Sequence, residues 1–167
     1  PLDWGSLEEV CAPRGERDVV VLLDRVTDPH NVGAVLRSAE AFGARAVVAP
    51  ARHAAPETGA LAKTASGALE RQPYLRVKNL SSAMETLRGM GYALLGLDGE
   101  GETTIDAALA ARPGPTALAL GAEGPGLRPK TRETCDALVR IDSAADFASL
   151  NVSNAAAVSL YAATRPR

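Results

Sequence analysis

Three clusters of polar residues and glycines could carry chemistry, and each directly follows a short apolar run. They cover residues 24–37, 121–126 and 142–154. The apolar runs are short enough to be buried strands. Open α/β sheets bind ligands outside the carboxyl ends of their strands, so three such loops can converge on one crevice. Taken singly, each cluster could equally be a solvated turn.

The cluster at residues 121–126 reads Gly-Ala-Glu-Gly-Pro-Gly. Glycine lets backbone N–H and C=O groups approach a ligand closely. The cluster is not a phosphate-binding fingerprint, because GxGxxG does not follow the first apolar run and Gly-Lys-Ser/Thr occurs nowhere in the chain. A turn with three glycines is often only a turn. The presence of Glu123 favours a ligand-binding site, because a turn alone does not require a carboxylate.

The segment at residues 149–154 reads Ser-Leu-Asn-Val-Ser-Asn and precedes a strong helical pattern. Ser149 or Asn151 could simply be the helix N-cap. The segment nevertheless supplies four hydrogen-bonding side chains, and the free N–H groups of a helix N-terminus suit a polar or anionic ligand. In the first cluster, Asn31 could cap a helix that contains Arg37, and an arginine there could equally be an ordinary solvated side chain.

The elements that must position these clusters alternate along the chain. Residues 1–17 look irregular, and after them strand patterns alternate with turns and helical patterns. The predicted strands are residues 19–23, 46–49, 75–77, 92–97, 116–120 and 138–141, and the predicted helices are residues 32–42, 56–65, 82–91 and 151–164. This order predicts one α/β domain with a mostly parallel sheet flanked by helices.

Composition narrows the class of protein. The chain has 167 residues, 46% hydrophobic and 23% charged, which is typical of one globular domain. The net charge of −2 gives no global positive field toward nucleic acid. No stretch approaches the roughly 20 apolar residues of a membrane span. Cys11 and Cys135 lie far apart, and His30 and His53 add no metal-ligand spacing, so we expect a reduced, cytoplasmic protein without a metal.

Together the clusters resemble the three motifs of the SpoU/TrmH branch of the SPOUT methyltransferases. The first motif is LDRVTDPHNVGAVLRSA at residues 23–39, and the second is LALGAEGPGL at residues 118–127. The third begins SLNVSNAA at residue 149 and runs on to Leu160 and Tyr161. The order and spacing agree over about residues 19–165.

The resemblance implies an activity, a fold and an assembly. Members of the branch transfer a methyl group from S-adenosylmethionine to a ribose 2′-hydroxyl of RNA. Their C-terminal part forms a deep trefoil knot, an exception to the usual unknotted chain, and the cofactor lies bent in that knot. They are homodimers whose active site is completed near the subunit interface. We therefore expect an RNA-binding homodimer with no membrane association.

Site residues carry over motif by motif. Arg37 would activate the 2′-hydroxyl, directly or through an RNA phosphate, and Asn31 would orient Arg37 and the substrate. Because an arginine stays protonated, an electrostatic or phosphate-holding role suits it better than that of a base. The expected catalytic residues are Arg37, Asn31, Glu123, Ser149 and Asn151, and the expected cofactor-binding residues are Leu97, Gly121, Gly126, Ile141, Leu150 and Ser153.

The segment at residues 61–70 is similar to the ribosomal-RNA branch, which methylates a guanosine of large-subunit RNA. Enzymes of that branch carry an additional N-terminal RNA-binding domain. On this basis residues 1–17 are interpreted as a linker from such a domain, and residues 18–167 as the catalytic domain. Methylation of tRNA, a non-catalytic RNA-binding relative and an ordinary nucleotide-binding α/β domain are the alternatives.

The chain departs from the family pattern beside the expected cofactor site. Asp142-Ser143 stand where the family usually has Pro-Met, and residues 142–148 lack the glycine common there. Asn154 replaces a small apolar residue. These changes predict an altered cofactor affinity or geometry, but they leave Glu123, Ser149 and Asn151 in place, so they do not imply a loss of activity.

Overall fold

The computed structural model describes residues 3–56, 58–144 and 151–166. The strands are β1 (Val19–Asp24), β2 (Ala46–Pro50), β3 (Tyr74–Val77), β4 (Ala93–Leu97), β5 (Thr103–Thr104), β6 (Thr116–Gly121) and β7 (Ala137–Arg140). The helices are α1 (Leu7–Val10), α2 (Pro29–Ala41), α3 (Gly59–Ala65), α4 (Ala68–Arg71), α5 (Leu80–Gly89), α6 (Ile105–Ala111), α7 (Pro129–Thr134) and α8 (Val152–Thr164).

All seven strands belong to one sheet, in the order β3-β2-β1-β6-β4-β7-β5, and every pair is parallel. Strand β1, in the interior of the sheet between β2 and β6, is buried along its whole length. A parallel sheet covered on both faces explains why this strand reads as a continuous apolar run rather than an alternating one. The predicted α/β class with a parallel sheet is confirmed.

Helices cover the two faces of the sheet over separate hydrophobic clusters. One cluster joins Val19, Val21 and Leu23 of β1 to apolar residues of α2, α3, α6 and α8. The other joins Val20 and Leu22 of the same strand to α1 and α5. The alternation of strand side chains between the two faces therefore produces a three-layer arrangement.

The expectation that residues 1–17 are irregular is wrong for one segment. Residues 7–10 form the short helix α1, which begins with a capping box between Ser6 and Glu9. Cys11 follows and is fully buried, and the hydroxyl of Tyr92 donates to its backbone oxygen at 2.7 Å. This segment packs on the domain, whereas its interpretation as a linker stays a prediction. Sequence patterns also missed α4, α6, α7 and β5.

Both cysteines are free thiols. Burial raises the pKa of Cys11 to about 11 and that of Cys135 to about 12, so both thiols stay protonated near neutral pH. Within the described ranges, no group of three or more His, Cys, Asp or Glu residues could hold a metal ion. None of the helices in the described part of the chain is both long and apolar enough to cross a membrane. The predicted trefoil knot depends on the path of residues 145–150, which lie outside the described residues.

Gly33 permits the close packing of α2 against α3. A Cβ atom at this position would lie 2.7 Å from the Cβ of Thr64, and 3.0 Å from both the backbone nitrogen of Ala65 and the carbonyl oxygen of Leu61. Two of these neighbours are backbone atoms and cannot turn away. The contact fixes α2, and with it Asn31 and Arg37, against the rest of the domain.

We expect Gly33→Ala to lower the free energy of unfolding by about 1–3 kcal/mol, because the added methyl group forces the two helices apart. Urea unfolding followed by circular dichroism measures this. The control is Gly89→Ala at the end of α5, where an added Cβ meets no atom within 4 Å. Alanine should be neutral or stabilising there. Equal effects of the two substitutions would contradict the packing argument.

Candidate active site

A cavity of about 320 Å³ opens at the carboxyl ends of β4, β6 and β7. This volume lies at the lower end of the range for small-molecule sites. The N-terminal turns of α8 close one side through Val152 and Ala155. Its apolar wall is Leu97, Leu120, Leu127, Val139, Ile141, Val152 and Ala155, and its polar side chains are Asp98, Glu100, Glu123, Arg132 and Ser143.

The loop that follows β6 folds tightly against itself. Ala122 and Gly126 form an isolated antiparallel bridge, in which the Gly126 N–H donates to the Ala122 carbonyl oxygen at 2.8 Å. A Cβ at Gly121 would lie 2.2 Å from the carbonyl carbon of Gly126, and the latter has a φ of 68°. Both glycines line the cavity and are also required by the loop itself.

Asn151 brings the second and third polar clusters together. Its Nδ2 donates to Oε1 of Glu123 at 2.6 Å. Its Oδ1 accepts from the backbone N–H of Ser153 at 2.9 Å, which makes Asn151 the N-cap of α8. The same side chain is therefore both the predicted cap and a partner of the predicted site carboxylate.

Four of the six expected cofactor-binding residues line the cavity, namely Leu97, Gly121, Gly126 and Ile141. Ser153 is not among the lining residues, because its backbone N–H and hydroxyl bind Asn151 instead. Its contact with a cofactor stays a prediction. The remaining expected site residues, Ser149 and Leu150, lie outside the described residues.

Asn31 and Arg37 lie on α2 and do not line the cavity. Arg37 is exposed and has no hydrogen-bond or ion-pair partner among the residues that the structure describes. The side chain of Asp28, rather than that of Asn31, caps the helix by accepting from the His30 N–H at 2.8 Å. Within one chain, the first motif thus stays separate from the pocket formed by the other two.

A buried ion pair that the sequence analysis did not identify holds the glycine loop. Asp24 at the end of β1 is fully buried, and its carboxylate accepts from Nε of Arg128 at 2.6 Å and from the backbone N–H of Arg128 at 2.8 Å. Arg128 follows the loop and begins α7. The signal available in the sequence was a lone acid at the end of an otherwise apolar strand.

Asp98 and Arg132 form a second missed pair, at the mouth of the cavity. The carboxylate of Asp98 accepts from the backbone N–H of Glu100 at 2.9 Å and from the guanidinium of Arg132. The Glu100 N–H, and then Arg132, hold the pKa of Asp98 below its ordinary value. Asp98 therefore stays ionised beside the cavity at neutral pH.

The charges around the cavity are mainly negative. Asp98, Glu100 and Glu123 line it, and Arg132 is the one cation among its described lining residues. Carboxylates attract a cation and accept hydrogen bonds from hydroxyl or amine groups, but they disfavour a phosphate. The alternative of an ordinary nucleotide-binding domain, which places phosphates at such an edge, fits this pocket poorly.

Asp142, which replaces the usual apolar residue, keeps its charge out of the pocket. It is not a lining residue, its side chain is 68% exposed, and it accepts from Nε of Arg140 at 3.0 Å. Arg140 also donates to the Gly101 carbonyl oxygen. Asn154 is exposed on α8. Of the substituted residues Asp142, Ser143 and Asn154, Ser143 lines the cavity, whereas residues 145–148 lie outside the described residues.

The comparisons with known proteins all identify the same family. The model of the SpoU rRNA Methylase family matches residues 18–161. The 23S rRNA (guanosine-2′-O-)-methyltransferase RlmB of Vibrio parahaemolyticus is 42% identical over 166 residues, which are 99% of this chain and 66% of that protein. The chain thus spans slightly less than two thirds of the length of this relative.

Solved structures agree with the sequence comparison. The SpoU methyltransferase AviRb from Streptomyces viridochromogenes, in complex with the cofactor AdoMet, matches with a TM-score of 0.79 and 34% identity over 92% of this chain and 59% of that one. The AdoMet-bound rRNA methyltransferase from Sinorhizobium meliloti matches with a TM-score of 0.83 and 26% identity over 96% of this chain and 60% of that one.

We expect Arg128→Met to lower the free energy of unfolding by about 3 kcal/mol, because it leaves the buried carboxylate of Asp24 without its countercharge. Asp24→Asn should cost less, since the side chain of Arg128 is already 37% exposed and can turn to water. Urea unfolding measures both. Glu85→Gln, which breaks the exposed pair with Arg88, is the control and should change stability by at most about 0.5 kcal/mol. A loss for Arg128→Met no larger than that of the control would refute the anchoring role.

Proposed function

The chain belongs to the SpoU rRNA methylase family, and from this premise we propose that it methylates the ribose 2′-hydroxyl of a guanosine in 23S rRNA, with S-adenosylmethionine as the methyl donor. The observation that carries the proposal is the hydrogen bond between Asn151 and Glu123 at the cavity. It joins the second and third family motifs around a pocket that is lined by four of the expected cofactor-binding residues.

The pocket suits S-adenosylmethionine. The ligand is cationic at its sulfur and carries hydroxyl and amine groups, and the carboxylates of Asp98, Glu100 and Glu123 complement these features. The apolar wall from Leu97 to Ala155 offers a surface for the base. When bound, this cofactor supplies an activated methyl group, so the residues of the chain have mainly to position the 2′-hydroxyl in line with it.

Arg37 supplies a positive charge that can interact with the RNA substrate. It is exposed on α2 and has no carboxylate partner among the described residues, so its guanidinium is free to hold an RNA phosphate or to stabilise negative charge on the ribose oxygen. Asn31 lies six residues, or about 1.7 turns, earlier on the same helix, and we assign it the role of orienting the substrate. Retention of these residues with Glu123 and Asn151 favours an enzyme over a non-catalytic relative.

A guanosine of 23S rRNA is proposed rather than a tRNA nucleotide because of the relatives. The Burkholderia protein named 23S rRNA (guanosine-2′-O-)-methyltransferase RlmB is 45% identical over 97% of this chain. The Aquifex aeolicus TrmH/SpoU tRNA modifying enzyme matches with 25% identity over 95% of the chain. The identity to a relative that is named for 23S rRNA supports the rRNA substrate.

We also propose that the protein acts as a homodimer through the face formed by α2 and α8. Val158 and Tyr161 of α8 are 43% and 51% exposed, which is unusual for large apolar side chains. Tyr161 packs edge-on against Phe42 at the end of α2. Burial of this face would bring Arg37 of one protomer toward the partner, which suits the separation of Arg37 from the cavity of its own chain.

Calorimetry and methyl-transfer assays test the activity together. The chain should bind S-adenosylmethionine and not NAD, and it should methylate a 23S rRNA fragment in preference to tRNA. We expect Glu123→Gln to weaken cofactor binding about tenfold through loss of a charge-assisted hydrogen bond. Arg37→Ala should keep the cofactor Kd and lower kcat by about 100-fold. Absence of cofactor binding, or near-normal turnover of Arg37→Ala, would overturn the respective assignment.

Sedimentation equilibrium tests the homodimer. The wild-type chain should show twice its chain mass at micromolar concentration, and the double variant Val158→Arg/Tyr161→Arg should sediment as a monomer because two charges cannot be buried in an apolar interface. Ser82→Arg on α5, at an exposed position on the opposite face of the sheet, is the control and should remain dimeric. A monomeric wild-type chain would refute this part of the proposal.

A further inference from the structure

Three exposed cations stand at the carboxyl ends of three neighbouring strands. In the parallel register, Leu22 of β1 is level with Val48 of β2, and Pro50 of β2 is level with Val77 of β3. The backbone N–H of Ala51 continues the pairing by donating to the Val77 carbonyl oxygen at 2.7 Å. The residues that follow these strand ends include Arg25, Arg52 and Lys78, and all three are exposed.

The spacing of the strands brings these cations into one group. Neighbouring strands lie about 4.8 Å apart, so the backbones at Arg25 and Lys78, two strands apart, are separated by roughly 10 Å. Arg52 follows the strand between them. The group, which we name the basic edge (Arg25, Arg52 and Lys78), can therefore contact one extended ligand at several points.

One member of the basic edge, and the neighbour of another, have an uncommon backbone conformation. Arg25 has a φ of 60° and His53, next to Arg52, has a φ of 61°. Side chains other than glycine rarely adopt this left-handed conformation, and it clusters at functional sites. Both residues are exposed, so neither side chain is retained for packing in the core. An exposed arginine and an exposed histidine at such positions are consistent with a ligand outside the domain.

The cations of the basic edge lack ion-pair partners, whereas those beside the cavity have them. Arg128, Arg132 and Arg140 each form an ion pair, with Asp24, Asp98 and Asp142. None of the three members of the basic edge is paired with a carboxylate within the described ranges. Among the described residues, one half of the sheet edge thus presents three cations without an ion-pair partner, and the other half holds a mainly acidic pocket.

We propose that the basic edge binds the phosphate backbone of the RNA strand that carries the target ribose. This rests on the proposed function and deepens it, because it assigns an RNA-contacting surface within the domain itself. Strand β1 lies directly beside β6 in the sheet. Arg25 follows Asp24, whose carboxylate anchors the loop that carries Glu123. An RNA strand held along β3, β2 and β1 therefore leads toward the cavity.

Salt-dependent RNA binding tests the assignment. Fluorescence anisotropy with a single-stranded oligouridylate measures Kd across a range of salt concentrations for the wild-type chain and for Arg52→Gln/Lys78→Gln. Each lost phosphate contact should reduce the slope of log K against log salt by about 0.7. Loss of two contacts should therefore flatten the slope by about 1.4 and raise Kd at low salt.

Two further variants separate the effect of charge at the basic edge from effects of overall charge and of backbone conformation. Arg14→Gln/Arg17→Gln removes two exposed charges that precede β1 at the opposite edge of the sheet, and it should leave the slope unchanged. Arg25→Asn keeps a residue that tolerates a positive φ while removing the charge. It should flatten the slope by about 0.7 and raise the KM for the 23S rRNA fragment, with the Kd for S-adenosylmethionine unchanged.

The outcomes distinguish this proposal from the proposed function. If the wild-type chain methylates rRNA but both double variants have its salt slope and RNA KM, the basic edge is not the RNA surface and the activity stands. If the oligouridylate slope falls only in variants of the basic edge but no RNA is methylated, the surface stands and the proposed function fails. Absence of any RNA binding by the wild-type chain refutes both.

Discussion

The candidate site depends on one buried carboxylate. Asp24 ends an otherwise apolar central strand, and removing a charge from water there is costly unless the charge is paired and hydrogen-bonded. The backbone N–H and the guanidinium of Arg128 meet this requirement together. Because Arg128 directly follows the glycine loop, the two bonds fix the far end of that loop to the centre of the sheet. The position of Glu123 is thus determined by an ion pair that lies outside the cavity.

The ion pair between Asp24 and Arg128 lies at the boundary between two regions of the sheet edge that differ in charge. On the side of β4 and β7, Arg132 and Arg140 are paired with Asp98 and Asp142, and the carboxylates of the cavity are in excess. On the side of β2 and β3, Arg25, Arg52 and Lys78 have no ion-pair partner among the described residues. A cationic methyl donor and a polyanionic acceptor have opposite electrostatic needs. A sheet edge divided in this way can serve both at adjoining places.

The sequence predicted most of the fold because buried parallel strands leave a strong pattern. The runs at residues 19–23 of β1 and 117–120 of β6 are apolar, and the helical periodicity of α2 places Val32, Val35 and Leu36 in the core. It missed α1 and α6, since a helix of four or seven residues leaves little periodicity, although Ser6 and Thr104 cap them. Tertiary packing on the sheet, rather than local propensity, stabilises such short helices.

The sequence predicted which residues belong to the candidate site better than it predicted which of them contact one another. Glu123, Asn151 and four cofactor-binding residues meet at one cavity, but the pairs Asp24–Arg128 and Asp98–Arg132 could not be predicted. Their members are 104 and 34 residues apart in the chain, and no spacing rule connects a strand end with a loop so far away. Ion pairing of this kind follows from the topology of the sheet, which the local pattern does not contain.

Asn151 shows why a structural and a functional interpretation of one residue need not compete. An asparagine amide has an acceptor and a donor on the same planar group. At the start of α8 the acceptor binds the Ser153 N–H and caps the helix, while the donor binds Glu123. An aspartate would cap the helix equally well but would repel Glu123, and a serine is too short to make both contacts. The side chain that satisfies the helix terminus is therefore also the one that can orient the carboxylate, and an N-cap preference alone would not have selected asparagine over the alternatives.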